Sequence, residues 1–289
     1  MTLDAFLEAA WNEHADRPQE VADRLAASLS LVEAPEHIPA FARLVTHVFG
    51  EHLGQWRRGI DLLDAIRSLP AFDGAATNVS TLTRCAATLS YAGGDSSTLD
   101  SLVTEDRVYV LASATSVFAA RNEFKRALAA YTEALRLAQS DVPSKSPAIR
   151  ALAVGGNNLA AALEEKKDRD SSETEGMVVA ATGGLTYWKL IGTWLEEERA
   201  QYRLTRSLLQ AGEPHAAIQS ATRCIDVCKL HNAPAFERFF GYAVLALAQR
   251  EAGDTQSFEK SRECALALFE QVPLDEKKWC KSEVNELGG

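Results

Sequence analysis

The chain has 289 residues, of which 46% are hydrophobic and 24% charged, with a net charge of −10 and a pI of about 5.2. The composition is ordinary for a soluble globular protein, and the acidic balance disfavours nucleic acid and anionic membrane surfaces as partners. No apolar run is long enough to span a bilayer. The acidic first segment lacks the pattern of a signal peptide, and five scattered cysteines are typical of reduced thiols, so we expect a cytoplasmic protein.

Residues 1–104 are predicted to form N-terminal helical hairpins with degenerate repeats. Ala, Leu and Glu are plentiful, and Pro18 suits the first turn of a helix, so the region favours helices. The predicted helices cover about 2–14, 17–31, 36–52, 56–69, 79–91 and 97–103.

Residues 105–271 carry clearer repeats. The predicted helices cover about 106–120, 124–139, 148–166, 177–190, two arms within 192–231, 235–251 and 256–271. The polar stretch 167–175 has no apolar periodicity and is predicted to be a mobile loop. Residues 272–289 are predicted to form a C-terminal capping helix, anchored by Trp279.

A regular spacing of small residues connects the predicted hairpins. Thr205 is followed after seven residues by Gly212, which ends its helix, and then by Ala217, Ala221 and Cys224 on the return helix. The same offsets recur from Thr115 and from Ala246, whereas His47 starts a poorer match.

This pattern resembles the tetratricopeptide repeat, TPR, although the clearest units recur at about 41–45 residues rather than about 34. The resemblance implies an all-α fold: a right-handed α-solenoid of antiparallel helical hairpins, continuous over the chain. It also implies that the first helix of each hairpin lines an inner face, which would bind a peptide or partner segment.

The strongest candidate for a peptide-binding surface lies on the helix after Gly192. Arg199, Tyr202, Arg203 and Arg206 are spaced by three and four residues and so share one face. Asn157 and Asn158 occupy the corresponding zone of the preceding first-arm helix.

In the resemblance, Asn158, Arg199 and Arg203 match three positions of the clamp with which co-chaperone members hold a C-terminal carboxylate. The other two positions fall on Ala112 and Ser116, so a full clamp is not supported. The surface would accept an acidic or C-terminal peptide. The alternative is that Arg199 and Arg203 form ion pairs with Glu164, Glu165 or Glu196.

Metal binding and catalysis have weaker support. Cys224, Cys228 and His231 share a helix face but lack a second ligand cluster, and Cys224 suits a small buried position. His47 and His52 are interpreted as packing or surface groups. Motifs of metalloproteases, hydrolases and P-loops are absent, so we predict no enzyme, no metal and no cofactor.

The sequence therefore predicts a protein-interaction module that binds a peptide or protein segment in a concave groove. The alternative is a ligand-responsive regulatory module that binds a small anion or signalling peptide, and a metal- or thiol-dependent protein comes third. A scaffold would need an extended groove, whereas a sensor would need an enclosed pocket.

Overall fold

The structure, a computed structural model, describes residues 2–139 and 142–288; Met1, Ser140, Asp141 and Gly289 lie outside the described residues. The described residues form helices and connecting turns, without a β-strand. The chain divides into two compact units, Met1–Gly155 and Gly156–Gly289. The division falls inside a helix, and the predicted change in repeat character near residue 104 stays a prediction.

The first unit is built from helical hairpins. Its elements are α1 (Leu3–Glu13), α2 (Pro18–Ala27), α3 (Ile38–His47), a π-helical segment (Val48–Leu53), α4 (Trp56–Ile66), α5 (Ala76–Ala92), α6 (Thr104–Ala120), α7 (Phe124–Ala138) and the first part of α8 (Pro147–Glu165). The return arm after α5 is reduced to a 3-10 turn, Ser96–Leu99, where the sequence predicts a short helix. The predicted helix 17–31 likewise ends as a separate 3-10 turn, Leu29–Leu31.

The second unit continues with longer, more regular helices. After the end of α8 these are α9 (Ser171–Ile191), α10 (Trp194–Gln210), α11 (Pro214–Leu230), α12 (Ala235–Glu251), α13 (Thr255–Phe269) and α14 (Lys281–Gly288). A 3-10 turn, Lys277–Cys280, precedes α14. Among the described helices, none is both long enough and apolar enough to cross a membrane.

The turn residues of the repeat share one backbone conformation. Asn122, Gly212 and Gly253 have φ values of 59°, 76° and 77°, and Gly54, in the poorer repeat, has 62°. Each lies seven residues after the residue that begins its repeat, which is small in all but the poorer repeat that starts at His47. This left-handed region favours Gly and Asn and ends a helix by capping its last carbonyls, so the repeat register is fixed by backbone sterics.

The small residues of the repeat lie where neighbouring helices meet. Thr115, Thr205 and Ala246 are fully buried, and so are Ala127 and Ala217 on the return helices. Short side chains let helix backbones approach closely, while the large residues around them fill the remaining volume. The predicted hairpin packing is therefore confirmed in both units.

The predicted mobile loop 167–175 is wrong for its second half. Asp170 caps α9 by accepting from the backbone N–H of Glu173 at 2.8 Å, and Glu173 returns a bond to the N–H of Asp170 at 3.1 Å. Lys166 adds an ion pair of 2.5 Å to Glu173. Such a reciprocal capping box starts a helix despite polar composition.

The predicted anchor of the C-terminal helix is also wrong. Trp279 is 66% exposed, whereas Cys280 and Leu287 are buried against α12 and α13. The 3-10 turn before α14 directs the indole outward, so smaller residues hold the helix in place.

Candidate functional site

A cavity of about 440 Å³ lies on the inner side of the first unit. Its walls come from α1, α3, the π-helical segment, α5, α6 and α8, which include the first arms of successive hairpins. The cavity has the size of a small-molecule or short-peptide site.

Three arginines give the cavity its charge. Arg84 is largely buried and pairs with Asp106 at 3.0 Å, and its Nε has no hydrogen-bond partner among the described residues. Arg43 and Arg150 are more exposed, and Arg43 has no ion-pair partner within the described part of the chain. The one carboxylate among the described lining residues, Glu51, already contacts His47 at 2.9 Å.

Four of the hydroxyl groups at the cavity are of two kinds. Thr46, Thr81 and Thr88 donate to carbonyls of their own helices at 2.8–2.9 Å, so each offers a ligand only acceptor capacity. Tyr109, beneath the guanidinium of Arg84, is different, because desolvation raises the pKa of its phenol and keeps it protonated. The arginines thus give the cavity cationic donors, which suit an anionic group.

In the second unit, the predicted arginine surface is occupied by glutamates of the same chain. Arg199 pairs with Glu237 of α12 at 2.6 Å. Arg203 pairs with Glu164 of α8, which also accepts from Ser207 at 2.7 Å. Burial raises the pKa of Glu164 against the opposing effect of Arg203. The ion-pair alternative thus holds for Arg203 with its expected partner and for Arg199 with a different one.

The remaining two members of that surface contact the C-terminal helix. Tyr202 donates to Glu283 at 2.5 Å, and Arg206 pairs with Glu286 at 2.7 Å. Arg250 donates to the backbone carbonyl of Glu286, also at 2.7 Å. Two acidic residues of α14, Glu283 and Glu286, therefore lie on the surface where the sequence predicts an acidic peptide.

The two asparagines are placed at the start of the second unit. Asn157 donates to Asn158 at 3.4 Å, and both are half-buried on α8. The asparagines thus contact each other, whereas all four predicted residues of α10 bind glutamates. The six predicted residues therefore fall into two groups.

The three residues of the metal site that the sequence supports only weakly do not come together as metal ligands. Cys224 and Cys228 are buried, and Cys224 contacts the carboxylate of Glu198 at 3.1 Å. His231 instead stacks on Trp194, with ring centroids 5.6 Å apart. In the described part of the chain, the residues that do converge as metal ligands are His14, His47 and His52.

Comparison with solved structures identifies the type of fold. The chain aligns with a crystal structure of nearly identical TPR-like repeats from a Podosopora anserina protein assigned as a kinesin light chain, with a TM-score of 0.50 and 13% identity over 82% of this chain and 96% of that one. The fold is TPR-like. A single-substitution variant of the same Podosopora anserina protein aligns with a TM-score of 0.47 and 13% identity, over 74% and 94% of the two chains. No protein-family model and no curated protein matches the sequence.

The TPR-like register could have located the cavity. Arg199 and Arg203 lie six and two residues before Thr205; at the same offsets from Thr115 lie Tyr109 and Ser113, both of which line the cavity. The sequence interpretation reached this hairpin only at Ala112 and Ser116, where it looked for the residues of a carboxylate clamp, and so did not consider Tyr109 and Ser113.

Proposed function

We propose that this chain acts by binding other molecules on the inner faces of its TPR-like hairpins, as an interaction module rather than an enzyme. Within that role, the first unit binds an anionic small molecule or the acidic end of a short peptide. The observation that carries the proposal is the cavity of about 440 Å³ with Arg43, Arg84 and Arg150 in its walls. Three guanidinium groups at one cavity are notable in a chain of net charge −10.

Arg84 and Arg43 would have different tasks in binding. Arg84 is held by Asp106 and stacks over Tyr109, with centroid distance 5.1 Å, so it forms a fixed base. Arg43 can turn toward a ligand without losing an ion pair. A ligand carboxylate or phosphate would thus replace solvent around Arg43, close to the fixed positive charge of Arg84.

Isothermal titration calorimetry with inorganic phosphate, glutarate and an acetylated Glu-Glu dipeptide tests this assignment. We expect at least one probe to bind, and Arg43→Gln to weaken it about tenfold or more, since a hydrogen bond to a charged group contributes about 1.5–3 kcal/mol. Arg57→Gln is the matched control, because it removes one positive charge from an 84% exposed side chain of α4 outside the cavity. Absence of heat with all three probes, or equal loss in both variants, would contradict the proposal.

A second function is favoured by the position of α14. The surface formed by Asn157, Asn158, Arg199, Tyr202, Arg203 and Arg206 is proposed to bind an acidic peptide or protein segment, including a C-terminal one. The support is that Glu283 and Glu286 already place acidic groups on Tyr202 and Arg206. A partner segment would compete with α14 for the same donors.

This second function calls for variants that preserve the fold. Reversing Arg203 would oppose the buried Glu164, so Arg199→Gln is the better probe, because its side chain is 59% exposed. Binding of a fluorescent peptide with the sequence of residues 281–289 should be stronger to Glu283→Gln/Glu286→Gln protein than to wild type, and should weaken in Arg199→Gln. A peptide with both glutamates changed to glutamine is the control; equal binding of the two peptides would argue against an acidic partner. A cytoplasmic location stays a prediction.

A further inference from the structure

Three histidines of the first unit form a cluster beside one wall of the cavity. The ring centroids of His14 and His47, His14 and His52, and His47 and His52 are 4.8, 5.0 and 4.9 Å apart. One ring nitrogen from each lies within 4.8 Å of the others. These residues come from the end of α1, the end of α3 and the π-helical segment, so three separate backbone positions converge.

The π-helical segment explains how two of the histidines meet. His47 and His52 are five residues apart, and in an α-helix this spacing turns side chains about 140° away from each other. The wider turn of a π-helix, with its i to i+5 hydrogen bonds, returns the fifth residue to the same side. Their Nε2 atoms are 3.2 Å apart as a result. Local π-helical turns recur at functional sites.

Neighbouring acceptors orient two of the three rings. Nδ1 of His47 faces the carboxylate of Glu51 at 2.9 Å, and Nδ1 of His14 faces the backbone carbonyl of Trp11 at 2.6 Å. An acceptor at Nδ1 holds the proton there, so that the Nε2 lone pair can bind a metal, which at His47 would replace the hydrogen bond with Nε2 of His52. This carboxylate or carbonyl behind an imidazole is the usual support of a metal-bound histidine.

We propose that His14, His47 and His52 bind one divalent transition-metal ion, with zinc as the expected occupant. Zinc binds imidazole nitrogen at about 2.0–2.1 Å in a tetrahedron, which places adjacent ligand atoms about 3.3–3.4 Å apart. The observed 3.2 Å between the Nε2 atoms of His47 and His52 fits that separation. The ligand nitrogen of His14 lies within 4.8 Å of the other two and would have to move closer to complete the site.

A further property of the cluster favours a metal. The indole of Trp11 lies 5.1 Å from the ring of His14 and 5.0 Å from that of His47, which gives the site an apolar side. Apolar cover around a metal limits competition from water.

The fourth coordination position is left for water or another small ligand. Glu51 is engaged with His47, so it supports the site rather than completing it. Trp11, His47 and Glu51 also line the cavity, so the metal would lie at its wall. The metal proposal does not depend on anion binding in that cavity.

Tag-free protein, stripped with a chelator, should be titrated with Zn²⁺ by calorimetry and with Co²⁺ by absorption spectroscopy. We expect one ion per chain and the intense visible bands of tetrahedral Co²⁺. His52→Gln should weaken Zn²⁺ binding at least about a hundredfold by removing one of three ligands, and Glu51→Gln should weaken it about 10–100-fold. His215→Gln, which changes an exposed histidine of α11, is the control and should bind as wild type.

Circular dichroism establishes that each variant remains folded, and His14→Gln, at the end of α1, replaces His52→Gln if that variant unfolds. Wild-type protein without tetrahedral Co²⁺ bands would overturn the proposal. So would equal Zn²⁺ stoichiometry and affinity in wild type and in the folded ligand variant, because the ion would then lie elsewhere.

Discussion

The hydroxyl of Tyr202 donates a hydrogen bond of 2.5 Å to the carboxylate of Glu283, which lies 81 residues further along the chain. Both groups are largely withdrawn from water, and burial raises the pKa of the Tyr202 phenol well above its usual value. The second carboxylate oxygen of Glu283 has no hydrogen-bond partner among the described residues. The hydrogen bond from Tyr202 therefore offsets much of the free-energy cost of burying the Glu283 carboxylate.

Tyr202→Phe should destabilise the protein by about 1–3 kcal/mol, because the variant leaves a buried carboxylate without its donor. Urea denaturation followed by circular dichroism measures the loss. Tyr187→Phe on α9 is the control, since its hydroxyl has no hydrogen-bond partner among the described residues, and it should be nearly neutral. The double variant Tyr202→Phe/Glu283→Leu should recover part of the loss; a double variant less stable than Tyr202→Phe would show that the carboxylate is not the source of the cost.

Arg199 and Arg203, two residues of the predicted peptide-binding surface, should differ in their contribution to the stability of the folded protein. Arg203→Met should cost about 3–5 kcal/mol, because it leaves the buried Glu164 without its ion-pair partner. Arg199→Met should cost less than Arg203→Met, because the side chain of Arg199 is 59% exposed against 27% for Arg203 and its ion pair is more screened by solvent, although Glu237 is itself buried. Chemical denaturation of the two variants in parallel compares these values. Equal losses in the free energy of unfolding would mean that the exposure of an arginine does not determine how much it contributes to stability.

The repeat register was predictable from sequence, whereas the partners of its charged residues were not. Gly212 and Asn122 reveal their role locally, because few residue types adopt a positive φ, and Thr205 reveals close helix packing by its size. Arg199 gives no sign of choosing Glu237 over the nearer Glu196, because side-chain pairing between helices depends on their relative rotation.

The histidine cluster was beyond the sequence interpretation for a related reason. His47 and His52 diverge on an α-helix, and no residue pattern in 48–53 predicts that the segment becomes π-helical. The return of the chain that brings His14 beside them is a property of the tertiary fold. The complete lining of the cavity depends on the π-helical segment and on the tertiary fold in the same way, because its walls come from helices far apart in the sequence.

The stability of the second unit should fall as the pH rises, because of Glu198 on α10. Desolvation, with the nearby Cys228 thiol as a smaller cause, raises the pKa of this carboxyl from 4.5 to about 9. The folded state then holds a proton that the unfolded state releases above about pH 4.5. This contribution is complete below that pH and decreases by up to about 1.4 kcal/mol per pH unit until the pH reaches about 9.

Glu198→Gln should remove this pH dependence, because the amide keeps an acceptor for Cys224 and cannot ionise. Urea denaturation at pH 6 and pH 8 should show a smaller difference between the two pH values for the variant than for wild type. Glu197→Gln, at a partly exposed neighbouring position paired with Lys189, controls for the lost charge and should keep the wild-type difference. An unchanged difference in Glu198→Gln would mean that another group controls the titration.

Substitution by alanine at two helical glycines should change the stability of the protein to different extents. A Cβ at Gly155 of α8 would lie 2.5 Å from the backbone carbonyl oxygen of Ala112 on α6, whereas a Cβ at Gly241 of α12 would first meet the side chain of Ile225 at 3.1 Å. A side chain can move by a few tenths of an ångström, but a carbonyl inside a packed helix moves only with the whole helix. Gly155→Ala should therefore cost about 1–3 kcal/mol in urea denaturation. At Gly241→Ala, the helix preference of alanine, up to about 1 kcal/mol, offsets the contact.

Gly155→Ala should also weaken the binding of whichever anion the calorimetry identifies, because α6 and α8 both line the cavity. A stable variant with unchanged anion binding would show that the close approach of Gly155 to Ala112 does not shape the cavity.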